Sequence, residues 1–193
     1  AQHGEGPLAI GQGTQGGAMS KRPAFKRVKI FLCDVDGVLT DAGVYVGGCE
    51  EFKRFNIQDG MGLRMLQACG MPVGWVSNRA SPATTKRARE LKVDYLWQKK
   101  TSKVDGVASV LRKAKLDWAD ACFVSDDLND LAVLRRVGLP IAVANAVAEV
   151  KKVAHYTTKA RGGNGAVREV CERVIKAQNM WHGLVRKLSG SSD

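Results

Sequence analysis

Short apolar runs and longer amphipathic segments alternate along this chain. VKIFLCD (28–34), MPVGWVS (71–77), DYLW (94–97), ACFVS (121–125) and PIAVA (140–144) are brief, continuous and rich in β-branched or aromatic residues. Runs of this kind predict strands buried on both faces. Between and beyond them, DGMGLRMLQACG (59–70), SPATTKRARELK (81–92), TSKVDGVASVLRKAK (101–115), DLNDLAVLRRVG (127–138) and AVAEVKKVA (146–154) show the helical period. Pro82 suits a first helical turn, and Val104, Val107, Ala108 and Leu111 share one helix face. HYTT (155–158) reads as a last extended piece. GAVREVCERVIKAQNMWHGLVRKL (165–188) reads as one long helix, with Val167, Val170, Cys171, Val174, Ile175 and Met180 along its core face.

Two segments depart from this alternation. GVYVGGCEEFKRF (43–55) predicts a β-hairpin turning at Gly47–Gly48. Residues 1–20 are glycine-rich, lack Lys and Arg, and have no periodicity, so they read as a disordered tail or an expression remnant. The expectation is one domain over 21–193. Its fold class is α/β: a Rossmann-like, doubly wound parallel sheet with a small β-hairpin flap, a C-terminal helix and no cap domain. Ligands on such a sheet bind beyond the carboxyl ends of the strands.

Polar residues gather where those strand ends should meet. Strand one leaves through Asp34-Val35-Asp36-Gly37 and strand two through Ser77-Asn78-Arg79. Lys103 opens a helix, and strand four leaves through Ser125-Asp126-Asp127, with Asp130 one turn later. Each piece alone has a plain reading: acids that cap a turn or favour a helix dipole, a serine that forms a turn, a solvated lysine. Together they suit phosphoryl chemistry. Asp34 and Asp126 offer hard oxygens to Mg2+, while Ser77 and Lys103 suit phosphoryl oxygens. One acid can attack phosphorus and a second, two residues on, can shuttle the proton.

Composition narrows the picture. At 45% hydrophobic and 25% charged residues the chain reads as soluble and globular, with no run long enough for membrane insertion. The five cysteines are scattered without a CxxC pair, which suits reduced thiols in the cytoplasm; no secretory signal is visible. Three histidines without paired spacing argue against histidine chemistry. The net charge of +11 is spread along the chain rather than gathered in one run, so it fits a basic surface attracting a small anion better than a nucleic-acid partner.

The order D-x-D-G, S, K, D-D-x-x-D at successive strand ends resembles the haloacid dehalogenase superfamily of phosphotransferases. DVDGVLTD, EEFKRFNIQDGMGLRML, LNDLAVLRRVGLPIAVANA and GGNGAVREVCERVIKAQ further resemble the 3-deoxy-D-manno-octulosonate 8-phosphate phosphatases over roughly residues 28–180. That resemblance implies a Mg2+-dependent phosphomonoesterase working through an aspartyl-phosphate, with Asp34 as nucleophile and metal ligand. It implies Asp36 as acid/base and, through its carbonyl, a ligand, Asp126 as the remaining ligand, and Asp127 and Asp130 in support. Ser77 and Lys103 would hold phosphate. Asn56, Ile57, Gln58, Asp59, Gly60, Arg64, Arg79 and Arg87 would serve a small anionic sugar phosphate. It also implies a homo-oligomer, a tetramer, in which neighbouring subunits close the uncapped site. Two positions depart from the usual motifs: Asn78 stands where glycine is usual, a residue tolerant of a left-handed turn, and Ser125 replaces the glycine before the last acids.

Three other readings remain open. A phosphatase of a nine-carbon keto-sugar acid 9-phosphate would use the same acids and lysine. A non-catalytic oligomerisation domain predicts decay of the catalytic residues, all of which are present. A receiver domain needs its acceptor aspartate at the third strand end, which here reads Tyr95-Leu96-Trp97.

Overall fold

The computed structural model describes residues 22–48 and 50–190, with the side chains of 22–24 and 50 excepted; the segment read as a tail, residues 1–20, lies outside these. Six strands form one parallel sheet: β1 (Ile30–Cys33), β4 (Val73–Ser77), β5 (Tyr95–Gln98), β6 (Ala121–Ser125), β7 (Leu139–Ala142) and β8 (Tyr156–Thr157). Their spatial order is β5-β4-β1-β6-β7-β8. From β1 the chain winds outward through β4 and β5, then returns to β6 on the other side of β1 and winds the opposite way. The switch point therefore lies at the carboxyl end of β1, beside β6, where ligands bind on open α/β sheets. The expected α/β class and hairpin are both present. The hairpin pairs β2 (Tyr45–Gly47) with β3 (Glu50–Phe52), and Gly48, at φ +51°, enters the turn in a conformation that glycine adopts without cost.

Burial explains the strand patterns. β1, β4, β6 and β7 are buried at every position, whereas the edge strand β5 is only partly covered. Helices α2 (Ile57–Ala68), α3 (Pro82–Glu90), α4 (Lys103–Ala114), α5 (Leu131–Leu134), α6 (Ala148–Val153) and α7 (Ala166–Ala177) connect or cover them, preceded by a short α1 (Arg22–Arg27). The three largest fully buried side chains, Trp75, Phe31 and Phe123, come from the adjacent strands β4, β1 and β6. No helix among the described residues is long and apolar enough to cross a membrane.

Two expected helices differ. The periodic stretch 165–188 is two helices, α7 and α8 (Trp181–Ser189). Asn179 takes φ +61°, its N–H donates to the Lys176 carbonyl, and the Met180 N–H donates to that of Ile175 at 3.0 Å. This double closure ends a helix at a left-handed residue, which asparagine tolerates. The turn folds Leu184 into the core and leaves Met180 and Trp181 partly buried, while Val185 and Leu188 stay exposed. Residues 127–138 form a 3-10 turn (Leu128–Asp130) and the single-turn α5, after which Gly138 passes close to the Ala119 carbonyl, its N–H donating to the Trp118 carbonyl at 2.8 Å, before the chain enters β7.

α2 and α7 are joined at one polar point. Asn56 caps α2, its side chain accepting from the N–H groups of Gln58 and Asp59. Asp59 is 1% exposed, and its carboxylate accepts from the N–H groups of Gly165 at 3.1 Å and Arg168 at 2.8 Å, the free donors that open α7. Removing it leaves buried donors unpaired. Asp59→Ala should lower unfolding free energy by about 1–3 kcal/mol, and Asp59→Asn, which keeps one acceptor, by less; urea denaturation of the three proteins measures both.

Candidate active site

Sheet register places the acids. Cys33 pairs with Val124, and the Asp34 N–H donates to the Val124 carbonyl at 3.0 Å, so Asp34 leaves β1 level with the end of β6. Asp126 follows one residue after β6. Between them Gly37 turns at φ +85°, and a Cβ placed there would fall 1.9 Å from an Asp126 carboxylate oxygen. Only glycine allows that approach. Gly162 braces the same loop: a Cβ on it would meet the Gly37 carbonyl at 1.8 Å, and the Gly163 N–H donates to Val38 at 2.9 Å.

Lys103, the first residue of α4, reaches into this cluster. Its ammonium lies 2.5 Å from an oxygen of Asp34 and 2.6 Å from one of Asp130, with all three side chains at most 8% exposed. Burial opposes its charge, but Asp130 and then Asp34 outweigh burial and hold the ammonium above its ordinary range. The Ser125 hydroxyl donates to the other Asp130 oxygen at 2.8 Å, so the residue that departs from the usual glycine fixes the acid that orients the lysine. Burial, followed by the charge of Asp34, pushes Asp130 up. Burial first, then Asp34 and Asp127, push Asp126 up to about 7. One ammonium among these acids leaves negative charge uncompensated, which is the electrostatic demand of a hard divalent cation.

The remaining expected residues divide. Ser77 closes β4 beside β1 and is 2% exposed; its hydroxyl accepts from the Arg79 N–H at 3.1 Å. Asn78 does not adopt a left-handed backbone; its amide instead donates to the carbonyls of Lys99 and Thr101, tying the loop after β4 to the loop before Lys103. Arg79 pairs with Glu51 of the hairpin. Asp127 caps its own turn, accepting from the Leu128 N–H. Arg87 pairs with Glu90 at 2.9 Å and lines a 460 Å³ groove between the hairpin exit and α3, together with Lys53, Phe55, Pro82 and Lys86. Gly60 faces the Arg87 guanidinium, Ile57 is exposed, and Gln58 lies on the exposed first turn of α2. Arg64 lies on the surface, bonded to Gln67 and the Leu91 carbonyl, apart from the carboxylates.

Sequence reasoning passed over Glu51, Lys53, Ser81 and Thr84. Lys53 has a fully buried side chain whose ammonium lies 2.7 Å from Asp36, and Glu51 holds Arg79 and the Ser81 hydroxyl. A signal existed: Glu51 and Lys53 are two apart, hence on one face of an extended segment.

A haloacid dehalogenase-like hydrolase model matches residues 76–170. The 3-deoxy-D-manno-octulosonate 8-phosphate phosphatase KdsC of Yersinia pestis is 36% identical over 157 residues, 81% of this chain and 84% of that protein. The structure of the corresponding phosphatase from Moraxella catarrhalis, in complex with magnesium, phosphate and KDO, is 33% identical with a TM-score of 0.84, over 87% of this chain and 97% of that one. The cobalt-bound enzyme of Haemophilus influenzae is 29% identical with a TM-score of 0.78, over 81% and 92%. With the strand-end acids, lysine and serine assembled at the switch point of the sheet, the chain belongs to the 3-deoxy-D-manno-octulosonate 8-phosphate phosphatase family of haloacid dehalogenase-like hydrolases.

Proposed function

We propose that this protein hydrolyses 3-deoxy-D-manno-octulosonate 8-phosphate to the free sugar acid and phosphate. The observation that carries the reading is the buried contact of Asp34 with Lys103 next to Asp126, at the crevice between β1 and β6. Family membership adds the substrate class. The groove between the hairpin exit and α3, with Lys86 and Arg87 on its walls, suits an anionic sugar acid.

Asp34 is the nucleophile: its carboxylate oxygen forms a bond to phosphorus as the bond to the sugar oxygen breaks. Asp36 gives its proton to the departing alkoxide, then takes one from the water that attacks the aspartyl-phosphate, releasing phosphate and restoring Asp34. Lys103 and Ser77 hold the phosphoryl oxygens, aided by the N-terminus of α4. Asp130, anchored by Ser125, keeps Lys103 aimed, and Asp127 supports the turn that carries Asp126. Arg79 and Arg87 border the sugar; Asn56, Asp59 and Gly60 shape the wall behind them by building the start of α2, with Ile57, Gln58 and Arg64 on its outer face.

The donors suit Mg2+. Asp34, Asp126 and the Asp36 carbonyl would hold it, all hard oxygens. Mg2+ is commonly held by one or two carboxylates and completes its shell with water and substrate phosphate. Bound there, Mg2+ neutralises the acids and polarises a phosphoryl oxygen.

The protein works in the cytoplasm as a homotetramer. Its cysteines at 33, 69, 122 and 171 are free thiols, three of them buried. The hairpin and neighbouring α2 present Val44, Tyr45, Val46, Phe52, Ile57 and Met61 to solvent, an apolar surface suited to contact between copies.

Asp34→Asn should abolish phosphate release from the sugar phosphate while leaving the melting temperature near wild type; turnover above one hundredth of wild type would exclude the covalent route. Because a proton at Asp126 competes with a cation below about pH 7, the Mg2+ dissociation constant should rise about tenfold from pH 8 to pH 6, as calorimetric titration reads directly. Val46→Glu, at an 83% exposed position, should shift the sedimentation profile from tetramer to smaller species.

A further inference from the structure

Lys53 follows β3, and its side chain is 0% exposed. An ammonium removed from water is costly unless it is paired and hydrogen-bonded. Here it lies 2.7 Å from one Asp36 oxygen and 3.0 Å from the other, and it donates to the hydroxyl of Thr84, a fully buried residue of α3, at 3.2 Å. Glu51 is the other acid in reach, at 3.8 Å, but one of its oxygens accepts from the Ser81 hydroxyl at 2.8 Å and the other pairs with Arg79. The short ionic contacts of Lys53 therefore go to Asp36. Asp36 is 26% exposed on the solvent side, so a substrate meets the carboxylate and not the ammonium behind it.

We propose that Lys53 is a positioning residue: held by Thr84, it fixes the Asp36 carboxylate in the orientation from which that group passes its proton to the leaving oxygen. The inference rests on the phosphatase reading above. Engaging both carboxylate oxygens from behind restricts side-chain rotation, and a misplacement of about 1 Å in a reacting group costs on the order of a hundredfold in rate. The hairpin thus does more than border the site. Its exit carries the cation that aims the acid, and Glu51 ties the same segment to the loop after β4.

Such a role touches only steps that need a proton from Asp36. A sugar alkoxide needs that proton to leave; a nitrophenolate does not. The test compares kcat/KM, which reports events through cleavage of the substrate P–O bond, for 3-deoxy-D-manno-octulosonate 8-phosphate and 4-nitrophenyl phosphate in wild type, Lys53→Met and Thr84→Val. Lys53→Met should lose about a hundredfold on the sugar phosphate and less than about threefold on the aryl phosphate. Thr84→Val, which removes only the hydroxyl anchor, should lose about two- to tenfold on the sugar phosphate alone. Equal losses on both compounds, or no loss on the sugar phosphate, overturn the proposal. Should Lys53→Met melt far below wild type, the selectivity of Thr84→Val decides. Wild-type protein that releases phosphate from neither compound overturns the phosphatase reading itself, and this inference with it.

Discussion

Carboxylates brought together in a crevice repel one another, and the structure depends on how that repulsion is contained. Asp34, Asp126 and Asp130 meet at the ends of two neighbouring strands, and one buried ammonium, Lys103, lies within 2.6 Å of two of them. Burial and mutual charge raise Asp126 and Asp130, so this end of the sheet favours a proton or a cation at each acid. The site draws divalent metal and phosphate for the same reason that it would be unstable as a cluster of bare acids.

That containment requires close backbone packing. The loop after β1 curls with Gly37 against Asp126, and the 162–163 turn presses against Gly37 from behind. Asp59 carries the support further by tying the start of α7, which follows that turn, to α2. Arg54 adds a tie from the hairpin exit, reaching Asp41, the Gly163 carbonyl and Asn164. The catalytic loop is thereby held from three directions: by the sheet through Val124, by the glycine turn, and by the hairpin exit.

The hairpin has two faces with different chemistry. Phe52 and its cross-strand partner Tyr45 are exposed, whereas Glu51 and Lys53 reach Arg79, Ser81, Thr84 and Asp36. Alternation along an extended segment therefore leaves an aromatic pair exposed on one side and sets an ionic anchor for Asp36 on the other.

Strand identities, the α/β class, the hairpin and the strand-end motif residues were legible in the sequence, because each follows from local periodicity or from a motif fixed by spacing. The break at Asn179 was not, since the helical period runs on through it and a single left-handed residue leaves no periodic trace. Asp59 read as part of a substrate loop, yet its contacts are with α7, more than a hundred residues away. Likewise Ser125 looked like a lost glycine until its hydroxyl met Asp130, and nothing local marked Lys53, which folding buries against Asp36. Local pattern determines which residues form strands and which chemical groups stand at their ends. Which charge faces which is decided only when distant segments pack, because electrostatic pairing depends on distance and burial that no short window of sequence contains.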